Sequence, residues 1–266
     1  MKNIGMIAGN GRFPFLVAEE IKKQGDRVVT VALKEEADKN IEEKSDETVW
    51  LSVGKIQKII AAFKERNVDT ALMVGQVKHA KIYSAITMDL RALKIMSSLI
   101  NKKTDTILGA VVKEFEKDGI KFLPSHIYLK HLLAKKGLIV GKKLNSDENK
   151  DVEFGFKTAK GIAGLDIGQT VVVKDKSVLA VESIEGTDEC IKRAYMLGGE
   201  NAIVAKVAKP NQDFRFDVPV IGPNTVDTLR DNKIRAMVIE ADSTLILDKD
   251  IVISKSKESG VTIVAL

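Results

Sequence analysis

The densest group of side chains that could do chemistry lies in residues 209–225, which read KPNQDFRFDVPVIGPNT. If residues 213–217 are extended, Asp213, Arg215 and Asp217 lie on one side and Phe214 and Phe216 on the other, because side chains alternate along a strand. Two carboxylates and a guanidinium on one face suit magnesium and a phosphoryl group, since magnesium prefers oxygen ligands and phosphoryl oxygens attract cations. The alternative is a surface loop in which Arg215 pairs with its neighbours.

This segment is expected to be stiff rather than floppy, because proline fixes the backbone angle φ. It holds three of the five prolines of the chain, Pro210, Pro219 and Pro223. Further hydrogen-bonding side chains precede the acidic pair: Lys209, Asn211 and Gln212. The segment is therefore the first candidate for a working centre.

Two more carboxylates, Glu182 and Glu185, lie at the end of a predicted β-hairpin. Gly186 and Thr187 follow them and are predicted to begin a helix, with Thr187 or Asp188 as its cap. Carboxylates beside a helix N-terminus could hold a metal ion and a phosphate together. The alternative is that these residues only cap the helix and carry ordinary surface charge.

A glycine turn, Gly9-Asn10-Gly11-Arg12, follows an apolar run at the N-terminus. It has the first two glycines of a dinucleotide fingerprint, but Pro14 occupies the third position, so an NAD site is not predicted. Phosphates or a base could approach the bare backbone and the helix N-terminus, or the glycines could serve a tight turn alone. Gln76, in residues 75–78 after another predicted strand, should reach the same edge of the sheet, where ligands bind in such folds.

The elements that position these residues fall into two halves. Strands alternate with helices over roughly the first 120 residues, which predicts a Rossmann-like parallel sheet with helices on both faces. The second half mixes a hairpin with further strands and helices, which predicts a mixed α/β domain. The fold class is therefore α/β, with an N-terminal domain over 1–134, a lysine-rich linker over 135–150 and a C-terminal mixed α/β domain over 151–266, which contains the candidate working centre.

Composition narrows the function classes. The 266 residues are 44% hydrophobic and 30% charged, with a net charge of +5, which describes an ordinary globular protein that tolerates anionic ligands. Aromatic residues make up only 5% and do not interleave with basic ones, so no nucleic-acid partner is expected. The single Cys190 excludes an intramolecular disulfide and a multi-cysteine metal site. His79, His126 and His131 show no metal-ligand spacing.

Three stretches of the chain, in the same order, carry a family resemblance: IGMIAGNGRFPFLVAEEIKKQG, GLDIGQTVVV with LAVESIEGTDECIKRA, and VAKPNQDFRFDVPVIGPNTV. The chain resembles the LpxI-type UDP-2,3-diacylglucosamine pyrophosphatases of lipid A synthesis. The resemblance implies hydrolysis to UMP and 2,3-diacylglucosamine 1-phosphate (lipid X) with a divalent cation, normally Mg²⁺, and places the essential aspartate at Asp217. Asn10 replaces a small residue of the family pattern and Gln76 an asparagine, which affects the expected nucleotide contacts.

Combining residues and resemblance, we expect Asp217 to be catalytic, as a metal ligand or by orienting water, with Glu182 and Glu185 as further metal ligands. Lys209 and Thr187 are expected to contact phosphate. The other expected substrate-binding residues are Gly9, Asn10, Gly11, Arg12, Gln76, Asn211 and Gln212. A cytoplasmic location follows from the lack of a signal peptide or an apolar run of membrane-spanning length.

The expected partner is a nucleotide-sugar lipid. Peripheral contact with the inner membrane and a homo-oligomer are both compatible with the sequence. Two alternatives stay open: a hydrolase or transferase acting on another nucleotide sugar, and a non-catalytic nucleotide- or lipid-binding protein.

Overall fold

The computed structural model describes residues 1–34, 36–77, 88–101, 103–198 and 200–266. The predicted sites and elements at Lys78, at His79 and at the start of the helix expected over 84–100 lie outside these residues. The chain forms two compact units. Unit 1 is Met1–Leu129 with Asp213–Asp217, and unit 2 is Lys130–Gln212 with Val218–Leu266.

Unit 1 contains a five-stranded parallel sheet in the order β3-β2-β1-β4-β5. Its strands are β1 Asn3–Ala8, β2 Arg27–Leu33, β3 Glu47–Leu51, β4 Thr70–Val74 and β5 Lys121–Phe122. Its helices are α1 Phe13–Lys23, α2 Ile56–Lys64, α3 Leu90–Ser98 and α4 Thr104–Lys117, with a 3-10 helix at Lys39–Lys44. A second 3-10 helix, Ile127–Leu132, crosses into unit 2. This sheet confirms the predicted Rossmann-like half.

The core of unit 1 follows from the periodicity of its sequence. Six of the seven residues of β2 are buried, as expected for an inner strand of a parallel sheet covered on both faces. In α2 the buried residues Ile56, Ile59, Ile60 and Phe63 recur with the helical repeat. Phe115 of α4 packs edge-on against Phe63, with ring centroids 6.5 Å apart. The helices therefore bury one apolar face each against the sheet.

Unit 2 contains a six-stranded mixed sheet in the order β6-β13-β11-β9-β7-β8, in which β9, β11 and β13 are parallel. These strands are β6 Gly137–Val140, β7 Thr170–Lys174, β8 Ser177–Val181, β9 Ile203–Lys206, β11 Ala236–Ile239 and β13 Thr262–Ala265. Two short parallel strands, β10 Val220–Ile221 and β12 Leu245–Ile246, pair separately. The helices are α5 Ser146–Gly164, α6 Thr187–Gly198, α7 Pro223–Asp231 and α8 Lys249–Ser259. This confirms the mixed α/β half and its β7-β8 hairpin.

The segment 135–150, predicted as a linker, is part of unit 2. Residues of β6 pair antiparallel with β13, and Asn145 caps α5 through a capping box with Glu148. Gly137 and Gly141, with φ of 122° and 100°, bracket the strand rather than loosen the chain. Glycine and asparagine thus lie at the ends of β6 and α5 here. Linkers are rich in the same residue types, so composition alone does not distinguish the two cases.

Within the described residues, no helix is both long enough and apolar enough to span a membrane.

Candidate active site

The carboxyl ends of β1 and β4 lie side by side in unit 1 and bring two predicted segments together. Asn10 N donates to Gln76 O at 2.8 Å and Gln76 N donates to Asn10 O at 2.9 Å. Gly9 N donates to Val74 O at 2.8 Å. The side chains of Asn10 and Gln76 are both exposed. The two predicted loops therefore form one rigid edge that presents two amide side chains to solvent.

The two glycines of the turn have different roles. A methyl group added at Gly9 would lie 2.5 Å from Gln76 O, so Gly9 is needed for the close approach of the two loops. Gly11 has a φ of +100° and no described atom within 4 Å of an added methyl group. Gly9 thus matches the structural alternative, whereas the backbone at Gly11 is open to a ligand.

The start of α1 lies directly behind this turn. Arg12 is exposed and occupies the N-cap position, where no described side chain caps the helix. A helix N-terminus favours anions because its first amide groups carry partial positive charge. Arg12 adds a full charge there, and together with Lys44, the larger cause, it lowers the pKa of Glu19. The edge is suited to a phosphate or another anion.

Residues 213–217 form a helical turn rather than the predicted extended strand. Phe216 N and Asp217 N both donate to Asp213 O, at 3.3 and 3.1 Å. The predicted alternation of polar and aromatic sides is therefore wrong, because the period of a turn differs from that of a strand. The two rings are nevertheless anchored: Phe216 packs against the core of unit 1, and Phe214 lies edge-on to His126 with centroids 5.2 Å apart.

Within this turn Arg215 pairs with its neighbours, as the alternative interpretation held. Its Nε and Nη2 donate to the two oxygens of Asp213 at 3.0 and 2.8 Å, and its Nη1 lies 3.2 Å from Glu116 Oε1. The hydrogen bond from Arg215 lowers the pKa of Asp213. Arg215 and Asp213 thus stabilise the turn, and Asp217, the last residue of the turn, is half-buried.

Lys209 lies at the corresponding edge of unit 2, after β9. Its side chain is 17% exposed and its Nζ is 2.8 Å from Asp166 Oδ1. Gln212 folds back, so that its Oε1 accepts from Lys209 N at 2.8 Å, while Asn211 is exposed. An ammonium held by one carboxylate can still meet a phosphate, because each –NH₃⁺ has three donors.

Glu182 and Thr187 come together with two residues that the sequence reading missed. Lys206 Nζ donates to Thr187 Oγ1 at 2.9 Å, and Thr187 Oγ1 donates to Glu182 Oε1 at 3.0 Å. Thr170 Oγ1 lies 3.3 Å from the Thr187 hydroxyl. Glu182 Oε2 is buried and has no hydrogen-bond partner among the described residues. A buried carboxylate oxygen of this kind calls for a cation or donor.

Glu185, the other predicted metal ligand of this hairpin, is paired with Arg193. Arg193 Nη2 donates to its Oε1 at 2.6 Å, and Ser183 N donates to its Oε2 at 3.1 Å. The bond from Arg193 is the main reason why the pKa of Glu185 is lowered. Both oxygens already accept a hydrogen bond, so a metal ion at Glu185 would have to share the carboxylate with Arg193 and the Ser183 amide.

A second missed group surrounds the exit of β9 in unit 2. Lys160 Nζ donates to Ala208 O at 2.9 Å and to both oxygens of Glu240 at 3.0 Å. Ala208 N donates to Glu240 Oε2 at 2.8 Å. Glu240 directly follows β11, so the strand-end rule that located Gly9 could have found it. Lys160 is mid-helix in α5 and gave no such signal.

Residues 1–34, 36–77, 88–101, 103–198 and 200–266 contain no group of three or more His, Cys, Asp or Glu side chains arranged to hold a metal ion. Asp217 belongs to unit 1, and Glu182 and Glu185 belong to unit 2. Magnesium commonly binds through one or two carboxylates and substrate phosphate oxygens. Glu182, whose Oε2 has no hydrogen-bond partner among the described residues, could serve as one such carboxylate.

Two domain models of one protein family together match almost the whole chain. Residues 3–132 match the model of the LpxI N-terminal domain and residues 135–264 that of the LpxI C-terminal domain. The UDP-2,3-diacylglucosamine pyrophosphatase LpxI of Caulobacter vibrioides is 30% identical over 278 residues, covering 100% of this chain and 98% of that protein.

Solved structures show weaker likenesses. A UDP-glucose-4-epimerase from Stenotrophomonas maltophila has a TM-score of 0.30 at 16% identity, covering 45% of this chain and 34% of its own. An N5-carboxyaminoimidazole ribonucleotide synthetase from Thermotoga maritima has a TM-score of 0.27 at 18% identity, covering 70% and 43%. The two domain matches and the full-length relative show that this chain belongs to the LpxI family.

Proposed function

We propose that this chain is a UDP-2,3-diacylglucosamine pyrophosphatase of lipid A biosynthesis. The observation that carries the proposal is the match to the LpxI pyrophosphatase of Caulobacter vibrioides over the full length of both chains. Hydrolysis adds one water across the diphosphate, so the products are UMP and 2,3-diacylglucosamine 1-phosphate. The reaction needs groups that offset phosphate charge and a carboxylate that orients water or binds a cation.

Unit 1 supplies the carboxylate and a nucleotide edge in this proposal. Asp217 is the catalytic residue, and the turn that carries it is fixed by the Asp213–Arg215 pair. The open backbone at Gly11, the exposed Arg12 and the amides of Asn10 and Gln76 provide contacts for the nucleotide portion. Gly9 contributes by holding the two loops together.

Unit 2 supplies cationic and hydroxyl groups for phosphate. Lys209 Nζ lies 2.8 Å from Asp166 Oδ1, and Thr187 is oriented by Lys206. Asn211 and Gln212 lie next to Lys209 in the chain and offer further amide contacts. Lys206, which sequence reasoning did not single out, adds a positive charge beside Thr187.

Dependence on Mg²⁺ is part of the proposal. A bound divalent cation would offset the charge that develops on the phosphoryl oxygens. Glu182, in unit 2, would hold it through the oxygen that has no partner among the described residues. Asp217, in unit 1, is a separate candidate ligand. Glu185 is not included, because Arg193 and Ser183 occupy its oxygens.

The test is UMP release from UDP-2,3-diacylglucosamine by purified protein, with Mg²⁺ and with a chelator. We expect Asp217→Asn to lower kcat by at least about 100-fold, since one essential group of this kind contributes roughly 10²–10⁴-fold. Asp242→Asn is the control, because Asp242 makes only an exposed surface pair with Lys135 among the ion pairs of the described residues, and it should leave kcat within about twofold of wild type. Equal loss in both variants would contradict the role of Asp217, and a folded wild type that releases no UMP would overturn the proposal.

The location of the protein follows from the proposed substrate. A polar UDP head and two acyl chains place the reaction at a membrane surface, so we propose a cytoplasmic protein with peripheral contact with the inner membrane. Co-sedimentation with anionic lipid vesicles would test that contact. Sedimentation velocity in solution would test the proposed homo-oligomer.

A further inference from the structure

A buried serine of unit 1, Ser125, contacts the turn that carries Asp217. Ser125, which follows β5, is 1% exposed. Its N donates to Phe214 O at 2.7 Å, and its Oγ lies 2.6 Å from Met73 O and 2.8 Å from Arg215 O. The hydroxyl has one proton, which these two carbonyl oxygens share. Ser125 thus contacts the turn through both its backbone and its side chain.

The other acceptor of Ser125 belongs to the proposed nucleotide edge. Met73 is in β4, one residue before Val74, whose carbonyl accepts from Gly9 N, and three residues before Gln76. The Ser125 hydroxyl therefore links β4, which leads to Gln76, to the turn that carries Asp217. Both partners are backbone groups, so the link constrains main-chain position rather than one side-chain rotamer.

Two other contacts of the turn are weaker or less directional. The Arg215–Glu116 pair is at the surface, with side chains 32% and 43% exposed, and such pairs contribute little. The packing of Phe214 and Phe216 holds the turn down but tolerates sliding, because apolar contact is not directional. The Asp213–Arg215 pair is directional but internal to the turn. The bonds to Ser125 are directional and join the turn to β4, and Asp217 lies two residues beyond the carbonyl that the Ser125 hydroxyl contacts.

We propose that Ser125 is a positioning residue for the reaction, which acts by fixing the main chain of the Asp217 turn against the end of β4. This inference rests on the proposed function, in which Asp217 is catalytic. Ser125 itself touches no reacting atom. A small displacement of a catalytic carboxylate lowers kcat more than it affects substrate binding, because the chemical step depends on near-contact geometry.

The experiment compares Ser125→Ala with Ser45→Ala. Ser45 is a matched control in unit 1, since its hydroxyl also makes two hydrogen bonds, to Thr30 Oγ1 at 2.6 Å and to Ile41 O at 3.0 Å. Turnover of UDP-2,3-diacylglucosamine is measured with hydrogen exchange of the Phe216 and Asp217 amides. For Ser125→Ala we expect kcat to fall by at least about tenfold, KM to change by less than about threefold, and exchange at these amides to rise about tenfold.

Ser45→Ala should leave kcat within about twofold of wild type and the exchange at Phe216 and Asp217 unchanged. Ser125→Cys, which keeps a weak donor of similar size, should recover part of kcat, and it replaces Ser125→Ala if that variant does not fold. Wild-type kcat in both Ser125 variants, or faster exchange spread evenly through unit 1, would overturn the inference. If the wild type shows no turnover, the proposed function fails, and exchange at the two amides alone decides whether Ser125 positions the turn.

Discussion

Two carboxylates three residues apart, Glu182 and Glu185, differ in what surrounds them. Arg193 holds Glu185 at 2.6 Å, with one side chain 42% and the other 28% exposed. Glu182 receives a hydroxyl at one oxygen and keeps the other buried without a partner among the described residues. A cation is stabilised most by a buried oxygen that has no other hydrogen-bond partner. Removing the charge of Glu182 should therefore affect cation binding more than removing the charge of Glu185.

The substitutions Glu182→Gln and Glu185→Gln test this difference. We expect Glu182→Gln to raise the Mg²⁺ concentration for half-maximal UMP release by at least about tenfold, since a hard cation loses an anionic ligand. Glu185→Gln is the control and should change it by less than about threefold. The measurement is the rate of UMP release across a Mg²⁺ titration. A larger shift in Glu185→Gln than in Glu182→Gln would contradict this assignment.

At the scale of elements, the site of each unit depends on the ends of parallel strands. In unit 1 the ends of β1 and β4 are joined by reciprocal bonds between Asn10 and Gln76. In unit 2 the ends of β9 and β11 are joined through Lys160 and Glu240, which bind both backbone groups of Ala208. Backbone hydrogen bonds join the strand ends in unit 1, whereas an ion pair joins those in unit 2. Substitutions at the two sites should therefore disrupt different kinds of contact.

The close approach of β1 and β4 predicts the effect of adding one methyl group. Gly9→Ala should lower the free energy of unfolding by about 1–3 kcal/mol, because the new carbon would lie 2.5 Å from Gln76 O and overpack the loops. Gly109→Ala is the control: this glycine is inside α4 and has no described atom within 4 Å of an added methyl group. It should stabilise the protein by about 0.5–1 kcal/mol through helix propensity.

Urea unfolding of the two variants gives both values. The prediction for the loops would be wrong if Gly9→Ala kept wild-type stability. A destabilised Gly109→Ala would instead point to a contact outside the described residues.

At the scale of the whole molecule, the chain enters unit 1 twice. Residues 1–129 form most of that unit, and Asp213–Asp217 return to it from within the sequence of unit 2. Phe216 packs against the unit 1 core. Stability of the first unit therefore depends on a residue of the second half of the sequence.

This connection predicts which unit each of two substitutions affects. Phe216→Ala should accelerate hydrogen exchange in α2 and α4 of unit 1, with a loss of about 1–3 kcal/mol, because it removes part of that core. Val226→Ala is the control, since Val226 of α7 is 1% exposed in the unit 2 core. It should act on β9 and β11 instead. If both variants loosened both units equally, the units would be one cooperative body and the prediction would be wrong.

Sequence reasoning located much of the fold and of the candidate site, and its limits are physical. Apolar periodicity is local, so it correctly predicted the parallel sheet of unit 1 and the β7-β8 hairpin. The ends of strands can also be located from local sequence, so the prediction that Gly9 and Gln76 lie at the same edge of the sheet is confirmed. Family motifs, which are read from order along the chain, identified the LpxI family and singled out Asp217.

Tertiary contacts decided the rest, because they join residues far apart in sequence. Arg193 pairs with Glu185, one of the predicted metal ligands, and Asp166 pairs with Lys209 across 43 positions. Residues 213–217 form a turn because their two rings and Ser125 attach them to unit 1. The predicted linker became β6 because β13, more than 120 residues later, offers it hydrogen bonds. The sequence by itself thus determined the elements, the family and the candidate residues, and the tertiary structure determined which of those residues are engaged by a partner.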